Sequence, residues 1–257
     1  VEALIKALDD KNWRVGEYAA SSLGRIGDRN ATPHLLKRLD NPSKWIRRRT
    51  ANALYDMNDP ATADKLGEMM RDKSREVRQE VQRVLNRFAG ESGNSLAQVT
   101  QAFNSIPDDD QNRAEEKNRH REKIAELKPV FEKYFALANI AKDDEYWEIR
   151  EKWIIELPRF RTIADVKPLV IAALNDKNER VRNAGLRAIG EFGKDASDVT
   201  PKVIELLNDY YDDVRKSAVE ALPRINEGKG ALELTGKDNI YWLRKYPRPG
   251  DNRYKQQ

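Results

Sequence analysis

The chain has 257 residues, of which 35% are charged and 39% hydrophobic, with 47 Lys and Arg against 43 Asp and Glu. A net charge of +4 is too small by itself to indicate a nucleic-acid partner, and no apolar run approaches the ~18 residues of a membrane-spanning helix. The absence of cysteine excludes disulfides, thiolate catalysis and Cys-ligated metal centres. Only two histidines, His34 and His120, are present, so the commonest general base and metal ligand is scarce. The sequence starts at Val1 rather than Met, as a processed or truncated product would. The compartment stays open, the absence of cysteine and the non-Met start leaning towards an exported or periplasmic location over a cytoplasmic one.

Internal repetition organises the chain. Position zero is taken as the β-branched residue that opens each amphipathic stretch. It falls at Val15, Ile46, Val77, Ile149, Val181 and Val214, with separations of 31, 31, 72, 32 and 33 residues. Eight residues later stand Leu23, Leu54, Leu85, Leu157, Ile189 and Leu222; eleven later, Ile26, Met57, Phe88, Phe160, Phe192 and Ile225. Four later stand Ala19, Thr50, Val81, Trp153, Gly185 and Ala218. Offsets of 0, 4, 8 and 11 trace one stripe of an α-helix. A shorter apolar helix precedes each, marked by Leu4 and Leu8, Leu35 and Leu39, Leu66 and Met70, Val170 and Leu174, and Val203 and Leu207. Pro33, Pro168 and Pro201 lie thirteen before position zero, where proline suits the first helical turn, and Thr32 and Thr200 are expected as N-caps.

In chain order, residues 1–89 hold three such helix pairs. Val1 falls inside the first helix with no polar capping repeat ahead of it, so upstream material or a covering partner is expected. Residues 90–127 interrupt the array: Gly90, Gly93, Asn94 and Ser95 read as a linker, Asp108 to Asp110 as an acidic helix start, and Gln111 to Leu127 as a charged helix. That helix either lies solvated over the array or docks a partner. Residues 128–226 hold three further pairs. Residues 227–257 contain a partial copy around Asp238 to Arg244, then a basic, proline-containing tail over 245–257, expected to order only against a neighbour.

The motif Leu174-Asn175-Asp176-Lys177-Asn178-Glu179-Arg180-Val181-Arg182, repeated in kind from Leu207 to Arg215 and followed by a helix ending in L-x-x-[IF], resembles HEAT and HEAT-like repeats of the bilin-lyase type. The resemblance covers roughly 1–89 and 128–226. It implies an all-α, right-handed α-solenoid of about six helix pairs, with the helical insertion between the third and fourth. Two departures stand out. Gly16 occupies the position of an expected Arg, and Lys142 that of an apolar residue.

Asp10, Asn41, Asp72, Asp144, Asp176 and Asp209 lie five before position zero; Arg47, Arg78, Arg150, Arg182 and Arg215 lie one after it. A catalytic centre is one asymmetric constellation, whereas a column repeated in each copy is a scaffold device. These residues are therefore read as turn and cap aspartates pairing with arginines of neighbouring repeats. Enzymes similar in repeat type offer three comparisons. Deoxyhypusine hydroxylase carries His-Glu dipeptides, absent here; no bilin pocket is legible; and Trp153, which a base-flipping glycosylase would need in a pocket, occupies a core column. No catalytic, cofactor-binding or metal-binding residue is assigned.

Two groups of residues remain as candidate partner contacts. Trp13, Trp45, Tyr146, Trp147, Tyr210, Tyr211, Tyr241 and Trp242 recur in or beside the turn between the two helices of a repeat. Turns are normally polar, so these rings either cap the core between repeats or form an aromatic ridge that anchors a protein. Arg25, Arg87, Arg159 and Arg224 lie ten after position zero, on helices that line the concave surface in the family, but Asp56, Glu80, Glu191 and Glu220 interrupt them. The function expected is a non-enzymatic scaffold or assembly subunit binding one or more proteins of a larger complex. A nucleic-acid-binding protein is the alternative, and a bilin-lyase-like enzyme or chromoprotein chaperone a weaker third.

Overall fold

The computed structural model describes residues 1–108, 113–160, 166–230 and 233. Among them there are only helices and turns. The α-helices are α1 (Glu2–Ala7), α2 (Trp13–Ile26), α3 (Thr32–Arg38), α4 (Lys44–Met57), α5 (Ala63–Met69), α6 (Arg75–Asn104) and α7 (Ala114–Ala138). They continue as α8 (Trp147–Glu156), α9 (Lys167–Ala173), α10 (Glu179–Phe192), α11 (Thr200–Glu205) and α12 (Asp212–Ile225). Short and long helices alternate from α1 to α6 and from α9 to α12, with the two long helices α6 and α7 in succession between, and the fold is an all-α solenoid. Two compact units, Val1–Ile149 and Arg150–Gln257, meet inside α8.

The stripe is the core. Leu23, Leu54, Leu85, Leu157, Ile189 and Leu222 are fully buried, as are Val77, Ile149, Val181 and Val214. Trp153 is buried against Phe160, ring centroids 5.9 Å apart, and so packs as a core residue. The first repeat differs: Val15 and Ile26 are exposed. Gly27 ends α2 and Asn58 ends α4, both left-handed. Pro33, Pro168 and Pro201 sit in the first turns of α3, α9 and α11.

The expected threonine caps are not formed. Thr32 is the first residue of α3, and its hydroxyl donates to Asp59 Oδ2 at 2.6 Å, tying α3 to the following repeat. The Thr200 hydroxyl lies 2.6 Å from Ser197 O and 2.9 Å from Asn226 Oδ1. Both hydroxyls donate to acceptors instead, and no side chain caps α3 or α11.

The expected linker is also absent. α6 runs unbroken through Gly90, Gly93, Asn94 and Ser95. Gly costs only about 1 kcal/mol in a helix interior, and the burial of Gly93 and Leu96 outweighs that. α7 likewise continues through Pro129, so residues 89/90 and 127/128 both fall within helices. Phe88 meets Tyr134 at 5.6 Å between α6 and α7, and Gln82 Nε2 donates to Ala138 O at 3.1 Å. The insertion is thus a helical hairpin. The half of α7 before Pro129 is mostly solvent-exposed, apart from Lys117, which is buried and bonded to Ile106 O and Asp108. Asp109 and Asp110, in the expected acidic helix start, lie outside the described residues.

Helices α2 and α4 pack tightly near their C-terminal ends, where Gly24 faces Ala53. A Cβ at Gly24 would lie 2.4 Å from Ala53 O, a backbone atom that cannot yield. Gly24→Ala gains roughly 0.5–1 kcal/mol of helix propensity but forces the helices apart, at a typical overpacking cost of about 1–3 kcal/mol. The expected result is a lower melting temperature. An increase would show that the contact relaxes freely.

Candidate functional site

The Asp and Arg columns form a ladder. Arg47 grips Asp72 through Nε (2.6 Å) and Nη2 (2.9 Å), and Arg78 grips Asp144 at 2.8 and 3.3 Å. In the second unit Arg150 holds Asp176 at 2.8 and 2.8 Å, and Arg182 holds Asp209 at 2.8 and 2.9 Å. Each arginine reaches the aspartate of the next repeat. Its remaining nitrogen serves the preceding turn, as Arg47 Nη1 does with the carbonyls of Asn41 and Pro42. Each aspartate also accepts the N–H two residues on, such as Ser74 N at 2.7 Å and Asn178 N at 2.8 Å. The aspartates therefore shape the turn ahead of the cap; the caps themselves are residues such as Asn178. All these groups are committed to the scaffold, as their repetition implies.

The ladder carboxylates also set acid sensitivity. For Asp72 and Asp176 burial is the largest single influence and acts upward, but hydrogen bonds from the paired arginine and the turn N–H bring both below their ordinary value. Glu76 is lowered to about 2, first by the Ser74 hydroxyl, then by its own N–H and by Lys44. Carboxylates depressed on folding give stability that is complete above about pH 4–4.5 and is lost as pH falls towards the lowered values. The melting temperature should be flat from about pH 7 to 5 and fall between about pH 4 and 2. A rise on acidification would contradict this.

The first rung is built differently. Gly16 stands where the arginine would be and Asn41 where the aspartate would be. Leu8 O lies 2.7 Å from where a Cβ at Gly16 would be, and beside that position lies Arg38, from the end of α3. A Cβ at Gly16 would lie 3.1 and 3.3 Å from its guanidinium nitrogens. The Arg38 side chain is 10% exposed, its Nε is buried without a hydrogen-bond partner, and the nearest carboxylate is that of Asp9, 3.8 Å away and itself 87% exposed. Desolvation lowers the Arg38 pKa, only partly offset by Asp9. Sequence reading missed this residue, yet a signal existed. Eight before position zero the other copies carry Ala7, Met69, Ala141, Ala173 and Leu206, and only this one carries a charge.

Above Arg38 lies a groove of about 380 Å³ between the N-terminal halves of α2 and α4. Trp13 and Trp45 line the groove and are 55% and 56% exposed. Arg14 sits 5.5 Å from the Trp13 ring centroid and Lys44 5.1 Å from that of Trp45. Ala20, Ile46 and Thr50 line it too, and the Arg49–Glu17 ion pair (3.0 Å) crosses it from helix to helix.

The other sequence candidates are placed less uniformly. Tyr146 and Trp147 are half-buried, and Tyr146 lies under Arg75 and Arg78, at 5.4 and 5.1 Å, which gives it a part in the scaffold. Tyr210 and Tyr211 are exposed in the second unit and meet edge to face at 5.1 Å. Tyr241, Trp242 and the tail over 245–257 lie outside the described residues. Arg25 and Arg224 are exposed; Arg159 pairs with Glu156 at 2.5 Å. Arg87 is bound to Glu91 and to Tyr55 O, both at 2.8 Å, and it and Arg83 lie 4.8 and 4.0 Å from the Tyr55 ring centroid.

A family model for HEAT repeats matches residues 1–114 and 136–223. The chain belongs to the HEAT-repeat family. No curated protein sequence matches it significantly. Among solved structures, it is similar to a set of computationally designed armadillo repeat proteins for modular peptide recognition, at 15% identity and a TM-score of 0.49, covering 87% of this chain and 99% of that one. It is also similar to the E. coli protein YibA, at 21% identity and a TM-score of 0.49, covering 86% and 69%. A third is the complex of CpcE and CpcF of phycocyanin lyase from a Nostoc species, at 15% identity and a TM-score of 0.37, covering 86% of each chain. Among the described residues of this HEAT-repeat protein no helix is long and apolar enough to cross a membrane.

Proposed function

We propose that this HEAT-repeat protein is a non-enzymatic scaffold that binds a partner protein in a larger assembly, with the α2–α4 groove as its principal contact. One observation carries the reading: two half-exposed tryptophans from successive repeats share one apolar groove. Trp is the residue most enriched among interface hot spots, and a cleft that takes a partner side chain between two such rings excludes water from it. The ladder spends its aspartates and arginines on structure, which leaves the groove, rather than the repeated charges, as the recognition feature. The basic tail over 245–257 and Tyr210, Tyr211, Arg25 and Arg224 supply further contacts in this reading.

The test is capture of partners from an extract of the source cells at about 50, 100 and 200 mM salt, with and without nuclease. The expected result is a defined protein partner retained across the series and indifferent to nuclease. Phosphate contacts would instead weaken binding by orders of magnitude over that range. A nuclease-sensitive, salt-labile complex would support the nucleic-acid alternative and sink the protein-scaffold reading.

A further inference from the structure

Resting on that reading, the groove can be assigned a chemistry. Its walls are Trp13, Trp45, Ala20 and Ile46, and its floor holds a cation. In the rungs below, Arg47 and Arg78 are each matched by an aspartate in bidentate geometry. In the first rung both ladder residues are replaced, and the guanidinium of Arg38, from α3, lies against Gly16 with its nearest carboxylate, that of exposed Asp9, 3.8 Å away. Burying an arginine whose Nε has no acceptor is costly, and such a group gains from any acceptor that reaches it. The other charges at the groove do not supply one: Glu17 is engaged by Arg49, and Asp9 stands 3.8 Å off in solvent.

We propose that the groove receives an acidic side chain of a partner protein presented next to a large apolar side chain, the carboxylate accepting from Arg38 and the apolar group lying between Trp13 and Trp45. The partner thereby gives Arg38 the carboxylate that Arg47 and Arg78 find within the fold. A cleft of about 380 Å³ is larger than a carboxylate alone needs and suits a two-residue anchor. A single planar fork with apolar walls fits a carboxylate, since guanidinium and carboxylate pair through two parallel hydrogen bonds.

The experiment titrates the full chain with three peptides, followed by tryptophan fluorescence and calorimetry at about 100 mM salt. They are acetyl-Gly-Phe-Glu-Leu-Gly-amide, the same peptide with Gln for Glu, and acetyl-Gly-Leu-Phe with a free C-terminal carboxylate. The Glu peptide should bind the wild type at least about tenfold more tightly than the Gln peptide, the difference expected for a charge-assisted hydrogen bond. Arg38→Met should erase that preference and leave the melting temperature unchanged or higher, because it removes a desolvated cation while keeping the volume. Arg38→Lys should retain only part of the preference, lacking the fork. Four results overturn the assignment. They are no binding of the Glu peptide at millimolar concentration, equal affinity for Glu and Gln, a preference that survives Arg38→Met, and stronger binding of the free C-terminal carboxylate. The scaffold reading is separable. If a Trp13→Ala/Trp45→Ala variant loses a captured partner while Glu and Gln peptides bind the wild type alike, the scaffold stands and the acidic anchor falls.

Discussion

Replacing Trp13 and Trp45 together by alanine is expected to abolish partner capture and to lower the melting temperature by no more than about 3 °C. Truncating a central interface tryptophan costs on the order of 2 kcal/mol or more, roughly thirtyfold in affinity each. Each ring is already more than half exposed in the free protein, so little buried area is lost from the fold itself. Trp153 gives the contrasting case. It lies four after position zero, on the helical stripe, and is fully buried against Phe160, so Trp153→Ala should cost about 3–5 kcal/mol of stability. If the Trp13/Trp45 variant loses many degrees while keeping its partner, the rings cap the core between repeats and the groove is not the contact.

Asp72→Ala should be the most damaging polar substitution in the first unit. The side chains of Arg47 and Asp72 are each 6% exposed, and the Asp72 carboxylate also accepts the Ser74 N–H that forms the turn. Its removal leaves a buried arginine with two nitrogens unpaired, at a typical cost of about 3–5 kcal/mol. The melting temperature should fall by roughly 10 °C or more, using about 2–4 °C per kcal/mol for a chain of this size. Adding Arg47→Met to Asp72→Ala should recover part of the loss by removing the orphaned cation. Glu126→Ala provides the control. Its pair with Lys123 is exposed on both sides, and its loss should cost under about 1 kcal/mol. Equal effects of Asp72→Ala and Glu126→Ala would mean that the ladder is decoration.

Both expectations draw on parts of the molecule that differ in how far the sequence discloses them. The helical stripe and the ladder were legible because each is written several times. Agreement among Leu23, Leu54, Leu85, Leu157, Ile189 and Leu222 overrides any single ambiguous residue. The insertion was not, because it is written once. Gly90, Gly93 and Pro129 are breakers by propensity, and only the packing of α6 on α7, unseen in one dimension, decides that both helices continue. The groove was half legible. Trp13 and Trp45 stand out in the turn region, and Gly16 stands out as a departure from the arginine column. What could not be read along the chain was that a guanidinium from α3, 22 positions later, lies against Gly16. A carboxylate is recognised as missing only once the three-dimensional rung is seen beside its complete neighbours.

The central claim is that a protein partner sits in the groove between α2 and α4. The most direct measurement is hydroxyl-radical footprinting of the free chain and of the complex purified from its own cells, read by mass spectrometry at individual tryptophans. The free chain should oxidise readily at Trp13 and Trp45 and resist at buried Trp153. In the complex, oxidation at Trp13 and Trp45 should fall severalfold while Tyr18, 73% exposed on α2 and outside the groove lining, stays reactive. Unchanged oxidation of Trp13 and Trp45 in a complex shown to be intact would contradict the account.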